Sequence, residues 1–401
     1  MKPPLLFLCH RIPYPPNKGD KIRSYHLLKY LSQHYQVYLG TFIDDPEDWQ
    51  YQPLVADMCA DSCFIKLDPH AAKLKSMFGF ITNEALSLPY YKNKELDHWV
   101  KKITAEHHIE KLVVYSSVMA QYAMIPSVEF TNTVIDFVDI DSDKWQQYST
   151  RKKWPLNWVY SREAKKLLSF EQKVAKRFDS SLFVSLAEAE MFKQLCPQSE
   201  QKVSFYNNGV DTEYFSPDID VHNPYQSTEQ VLVFTGAMDY WPNIDAVTWF
   251  AKQVFPGLKQ RNPDLKFYIV GSKPTDEVQK LGSSDIIVTG RVPDIRPYLK
   301  HAIAAVAPMR IARGIQNKVL EAMAMARPTI VTGQALEGIQ AVHGQEVLLG
   351  NDEKALQLLV QQVVDGEHVN IAAKARDKVI SDFSWEDNLP IVGALLEKPT
   401  N

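Results

Sequence analysis

Short apolar runs punctuate this chain at regular intervals. In the first half they cover 5–9, 37–42, 63–67, 112–115, 134–138, 181–184 and 203–206; in the second, 231–234, 267–270, 286–288, 302–307, 329–331 and 347–349. Runs of this length bounded by turn residues read as buried strands, and the segments between them are long enough for helices. Over 22–31 the apolar residues Ile22, Tyr25, Leu27, Leu28 and Leu31 follow helical spacing. Ser185 and Glu188 have the spacing of a capping box and predict a helix that ends near Cys196-Pro197. Strands alternating with helices predict α/β architecture with parallel sheets, here two Rossmann-like domains joined by the polar stretch 218–230.

Composition narrows the class. A chain of 401 residues suits two or three domains at roughly 150 residues each. Hydrophobic residues make up 45% and a net charge of −4 exerts no general pull toward nucleic acid. No stretch reaches the roughly 18 apolar residues of a spanning helix. The opening apolar run is too short for a signal peptide, so a cytoplasmic protein is expected. Cys9, Cys59, Cys63 and Cys196 are too few for a disulfide framework. Cys59 and Cys63 stand one helical turn apart without a second Cys/His pair, which favours buried thiols over zinc. The 16 glycines contain no Gly-x-Gly-x-x-Gly, which disfavours a dehydrogenase, and no P-loop is present.

The densest candidate chemistry lies in 308–332. An apolar run stops at Pro308, a loop with Arg310, Arg313, Gly314 and Lys318 follows, and an Ala/Met-rich helix leads to Pro328 and the next strand. Such a loop sits at the carboxyl end of its strand and feeds a helix N-terminus, where free backbone N–H groups and the positive dipole end favour an anion. A solvated turn would share the glycine and the cations. The helix separates the two readings: Lys318 and Glu321 fall near one face of its first turn while Val319, Leu320 and Met323 pack inward. A cation for phosphate and a carboxylate for sugar hydroxyls fit a nucleotide sugar.

Leu320-Glu321-Ala322-Met323-Ala324, followed by Arg327-Pro328-Thr329-Ile330-Val331, resembles the donor-site signature of glycosyltransferase family 4, retaining enzymes of the GT-B fold. The whole opening of the chain resembles a subgroup associated with bacterial exopolysaccharide and exosortase (PEP-CTERM) loci. The resemblance implies two Rossmann-like domains facing across a cleft and glycosyl transfer from a nucleotide sugar to a glycan or lipid-linked acceptor, with retention and no obligatory metal. It assigns Glu321 to the ribose. Where the family has a second glutamate for the donor sugar, this chain has Arg313. Lys318 and Arg310 would hold the diphosphate, with backbone N–H groups from Gly314, Ile315, Gln316 and Asn317. Gly236 lies in the first strand-to-helix loop of the donor domain, and Val292, within Gly290-Arg291-Val292-Pro293, resembles the base-contacting segment. Asn208-Gly209-Val210-Asp211 is a turn signal that closes the first domain in this family. The expected division is therefore 1–212, 213–381, and a closing element 382–401 that crosses back to the first domain.

In the first domain, the resemblance points to the loop before the first helix, with Gly19, Asp20 and Arg23 facing phosphate or acceptor. Ser116, Ser117 and the acidic run 136–145 lie beyond predicted strand ends. Paired aspartates suit a hard cation, but they also cap helices; capping is the reading preferred here, with Asp139 or Asp141 as acceptor contact or base. Between 151 and 177 nine cations face only Glu163 and Glu171, with Trp154, Trp158 and Tyr160 interleaved. That pattern fits a solvated helix face or a peripheral contact with an anionic membrane surface. Two rivals share the fold or the ligand: a nucleotide-sugar epimerase, and a catalytically silent nucleotide-sugar-binding partner of a polysaccharide assembly complex.

Overall fold

The structure is a computed structural model that describes residues 2–16, 19–125, 129–312, 314–368 and 370–398, Arg151 by its backbone alone. It divides into two compact units: residues up to Asn207 with the segment from Leu389 onward, and Asn208–Asn388.

The first unit is built on a parallel sheet of β1 (Pro4–Cys9), β2 (Gln36–Ile43), β3 (Asp61–Lys66), β4 (Lys111–Tyr115), β5 (Asn132–Val138), β6 (Ser180–Phe183) and β7 (Val203–Phe205). Their spatial order is β3-β2-β1-β4-β5-β6-β7. The central strands β1 and β4 are apolar along their length and do not alternate, as strands covered on both faces do: Leu5 to Cys9 and Leu112 to Tyr115 are all buried. Leu6, Leu8, Leu112, Val114, Ile135, Phe137, Phe183 and Phe192 form the centre of the core. The helix Pro390–Leu396 packs here as well. Lys111 Nζ donates to Leu396 O at 2.6 Å, and Tyr35 Oη donates to Glu397 Oε1 at 2.8 Å.

The second unit repeats the plan with β8 (Gln230–Thr235), β9 (Leu265–Val270), β10 (Ile286–Gly290), β11 (Ala304–Ala307), β12 (Thr329–Val331) and β13 (Leu348–Leu349), in the order β10-β9-β8-β11-β12-β13. All of its pairings are parallel. The Asn-Gly turn at its start has a packing cause. A Cβ on Gly209 would lie 2.5 Å from Cδ2 of the buried Trp385, so only glycine lets the chain cross that ring.

In each sheet the strand order reverses once, between β1 and β4 in the first unit and between β8 and β11 in the second. Ligands of doubly wound sheets lie beyond the strand carboxyl ends at that reversal. The chain leaves the flanking strands at His10 and Ser116 in the first unit and at Gly236 and Pro308 in the second.

Two features depart from the sequence reading. Cys63 lies in β3 and Cys59 precedes it, so no helix pairs them, and both thiols are half-buried. Between β3 and the helix Lys94–Glu106 stand three short helices, Pro69–Ser76, Phe78–Ile81 and Ser87–Tyr90, that the apolar pattern did not announce.

Candidate functional site

At the reversal in the second unit, the floor is bare backbone. Gly236 N donates to Val270 O at 3.1 Å and Gly271 N donates to Gly290 O at 3.3 Å, drawing the ends of β8, β9 and β10 together. A Cβ on Gly271 would stand 1.7 Å from Gly236 O, an impossible contact. One on Gly236 would meet Asn243 Nδ2 at 2.7 Å and Lys318 Cε at 3.4 Å.

Lys318 reaches this floor from the helix Asn317–Ala324. Its Nζ donates to Asn243 Oδ1 at 2.8 Å and lies 5.2 Å from the Phe234 ring centroid. Asn243 is buried in the first turn of the helix Trp241–Trp249 and is itself fixed by donating to Ala237 O at 2.9 Å. Burial pushes the Lys318 amine down to about 8, with Glu321 opposing the shift. Glu321 lies one turn later. Burial pushes its carboxyl up to about 7, with Lys318 pulling it down. Among the described residues nothing donates a side-chain or backbone hydrogen bond to that carboxylate. Two half-buried groups of opposite charge, one lacking any hydrogen-bond partner, are costly unless a ligand completes them.

The helix that carries both is anchored on one side and open at its start. Val319, Leu320, Ala322, Met323 and Ala324 are buried, and Arg376 Nη1 donates to Ala324 O at 2.5 Å and to Phe215 O at 3.0 Å. At the other end Gln316 makes no side-chain cap, and Asn317 Oδ1 is buried without a partner among the described residues. Gly314 adopts φ 64°, which only glycine takes up without strain.

Other predicted residues fall differently. Arg310 donates bidentately to Asp245, its Nε 3.0 Å from Oδ2, and stacks 5.5 Å from the Trp249 ring. The expectation that it shares a diphosphate with Lys318 is not met in this arrangement, because Asp245 takes its guanidinium. Arg313 lies outside the described residues. Val292 packs against the cluster of Tyr225, Val270 and Leu299, just after β10. Sequence reasoning missed Asn243, whose role appears only once distant helices meet. It also missed Tyr214, an exposed ring close enough to Glu321 to feel its charge, with Arg296 stacked 3.7 Å from its centroid.

In the first unit the corresponding loops are filled by their own charges. Asp20 accepts from Arg11 Nη1 at 2.7 Å, and Arg11 also forks onto Asp44. Burial raises the Asp20 carboxyl, but His10 and Arg11 hold it below its ordinary value. Gly19 opens the helix Gly19–His34 with nothing within 4 Å of a would-be Cβ. Arg23 corrects the reading of that loop. It is wholly buried, donating to Asp136 at 2.8 and 3.2 Å, to Tyr206 O at 3.0 Å and to Phe183 O at 3.3 Å, so it is a clasp under the sheet ends and presents nothing to a ligand. Its place follows from helical period: Arg23, Leu27 and Leu31 share the buried face.

Asp139 accepts from Lys144 Nζ at 2.7 Å, and Asp141 accepts from it at 3.3 Å. The helix Asp141–Arg151 is not capped by those aspartates. Glu188 accepts from Ile140 N at 2.9 Å, and Glu171 accepts from Ser142 N at 3.2 Å and Ser142 Oγ at 2.5 Å. Among the described residues no group of three or more His, Cys, Asp or Glu side chains is placed to hold a metal ion.

Residues 229–365 match the family described as glycosyl transferases group 1. A 44.6 kDa protein in the cps region of Klebsiella pneumoniae is 23% identical over 131 residues, which cover 30% of this chain and 34% of that one. The chain thus spans about a third of that relative's length. A sucrose-phosphate synthase from Thermosynechococcus elongatus superposes with a TM-score of 0.71 at 17% identity, over 98% of each chain. Anabaena HepE, in complex with UDP, gives 0.65 at 15% identity over 99% of each chain. WaaG, a glycosyltransferase involved in lipopolysaccharide biosynthesis, gives 0.66 at 13% identity over 98% of this chain and 100% of its own. The match to glycosyl transferases group 1 thus falls within the second unit, and the chain has the GT-B fold of two Rossmann-like domains.

Proposed function

We propose that this chain is a glycosyltransferase that moves a sugar from a nucleotide-sugar donor to a glycan or lipid-linked acceptor with retention at the anomeric carbon, in bacterial exopolysaccharide biosynthesis. The observation that carries the reading is the pair Lys318 and Glu321, one turn apart at the strand-order reversal, with the Glu321 carboxylate unpartnered among the described residues.

Departure of a nucleoside diphosphate builds negative charge on its phosphates. Preorganised donors aimed at that charge lower the barrier most where water is excluded. Lys318, oriented by Asn243, supplies one full charge, and the uncapped start of its helix supplies backbone N–H groups. Glu321 accepts from the ribose hydroxyls. Gly236 and Gly271 let the diphosphate approach the backbone, and the segment at Val292 lies along the base. The donor belongs to the second unit and the acceptor to the first. No obligatory metal enters this reading. Uridine is the first base to test, since HepE is in complex with UDP, and the cps-region relative supports a polysaccharide setting. A place at the cytoplasmic face of the inner membrane completes the reading.

A thermal-shift screen of nucleotide sugars tests it. A specific donor at 100-fold excess over Kd stabilises the second unit by roughly 2.7 kcal/mol, and Glu321→Gln abolishes most of that shift. No shift with any nucleotide sugar rejects the donor assignment. Turnover of donor without acceptor to an epimeric sugar would instead identify an epimerase, and NMR of the transferred sugar's anomeric configuration decides retention.

A further inference from the structure

The helical run Pro69–Ser76, Met77, Phe78–Ile81 is packed inside out. Its small residues Ala72 and Gly79 face the protein, while Leu74, Met77, Phe78 and Ile81 point to solvent at 71, 59, 61 and 81% exposure. These four stand at i, i+3, i+4 and i+7, one stripe of a helix. A soluble domain gains nothing from arranging its apolar side chains this way.

The ridge is held firmly. Buried Glu163 accepts from Leu86 N at 2.5 Å, Ser87 N at 3.0 Å and Ser87 Oγ at 2.6 Å. Arg162 donates to Gly79 O at 2.7 Å and Glu84 O at 3.0 Å and covers the Phe80 ring at 4.8 Å. Phe80 stacks on Trp158, their centroids 6.0 Å apart. That stack joins the ridge to a second exposed apolar group, Trp154, Leu156 and Trp158, at 81, 48 and 56% exposure.

The charge around this surface is mostly positive, with exposed Asp68 and Glu84 at the two ends of the ridge. Residues 69–83 and 144–162 contain no Asp or Glu, and exposed lysines lie beside both apolar groups: Lys73 and Lys75 on the ridge, Lys152 and Lys153 before Trp154. Lys75 donates to Lys92 O and sits within the field of Lys92 and Lys94.

We propose that this face of the first unit docks on an anionic lipid bilayer, with Leu74, Met77, Phe78, Ile81 and Trp154 entering the headgroup region and the lysines meeting lipid phosphates. Apolar side chains rimmed by cations and aromatics match the interfacial region in both hydrophobicity and charge. The exposed lysines outnumber the bordering carboxylates Asp68 and Glu84, so two copies meeting through this face would bring an excess of like charge together, which argues against self-association. The proposal rests on the membrane contact named above and is independent of the donor chemistry. It also moves the expected anchor: the helix Leu156–Arg177 contributes its start, while the inserting element is the ridge before it in sequence.

The test is flotation of the full chain with vesicles of phosphatidylglycerol and phosphatidylcholine, beside vesicles of phosphatidylcholine alone. The chain floats with the anionic vesicles only. The double variant Phe78→Ser/Ile81→Ser loses at least about tenfold in partition coefficient, while its UDP-sugar thermal shift and its unliganded melting temperature stay at the wild-type values, since both side chains are exposed. Wild type remaining unbound, or the double variant floating as well as wild type, overturns the proposal. Light scattering that shows a dimer broken by the same double variant assigns the face to a second copy and overturns it too. Failure here with the donor shift intact leaves the proposed chemistry standing.

Discussion

The strand-order reversals of the two units use the same strand, loop and helix but treat charge in opposite ways. In the first unit Arg23 is saturated by Asp136 and two carbonyls, Arg11 by Asp20 and Asp44, and Lys144 by Asp139 and Asp141. In the second, Lys318 has one neutral partner in Asn243, and Glu321 has no hydrogen-bonding one among the described residues. A saturated network fixes the backbone that surrounds it. An incomplete one is completed by something from outside. Counting cations near a glycine therefore does not locate a site; asking which of them lack a counter-ion does.

The sharpest break of this comparison is Arg23→Ala, which leaves the buried Asp136 without its counter-ion, held only by Tyr206 Oη and Val138 N among the described residues, and costs about 3–5 kcal/mol. Denaturant unfolding followed through the first unit reads the loss. The nucleotide affinity proposed for the second unit stays within about twofold, since Arg23 and all its hydrogen-bond partners named above belong to the first. Next comes Lys318→Ala, for which kcat/KM falls about 100-fold or more with the melting temperature held near wild type.

The Lys318 pKa supplies a pH signature. Its amine is pushed down to about 8 and so carries its charge only below that pH. A bound diphosphate favours the charged form, so affinity for UDP falls as pH rises through about 8, approaching tenfold per pH unit. Calorimetry across that range shows proton uptake on binding, and Lys318→Arg removes the falling limb.

Glu171 gives a contrasting signature in the first unit. Burial, aided by the charge of Asp141, pushes its carboxyl up to about 8 from an ordinary 4.5. The folded state thus binds a proton that the unfolded state releases, and stability falls as pH rises between those values. Melting temperatures measured across the window lose that slope in Glu171→Gln. The smallest effect belongs to Arg310→Ala, whose half-exposed pair with Asp245 is worth about 1 kcal/mol or less; a loss in kcat/KM as large as that of Lys318→Ala would restore Arg310 to the phosphate site.

The fold was legible because the central strands, such as β1, β4 and β8, are buried along their length, so their apolar runs are continuous and easily read. The helix bearing Lys318 and Glu321 was legible for a similar reason: its inward residues leave the pair a definite face. The partners were not legible. Asn243 and Asp245 lie far in sequence from Lys318 and Arg310, and nothing local says which cation each will hold. Arg23 was misread as a ligand contact although its spacing from Leu27 and Leu31 already placed it inward. The inverted ridge was not read because its short helices follow no strand-like apolar run, and helical spacing of Leu74, Met77, Phe78 and Ile81 does not by itself say which way their stripe turns.

The contact between Gly271 and Gly236 O sets a limit on redesign. Under the proposed function, selectivity cannot be retuned by planting a side chain at this floor, since any methyl on Gly271 prises the strand ends apart. Tests of the proposed donor specificity by mutation must work from positions such as Tyr214 and Val292, and leave that pavement untouched.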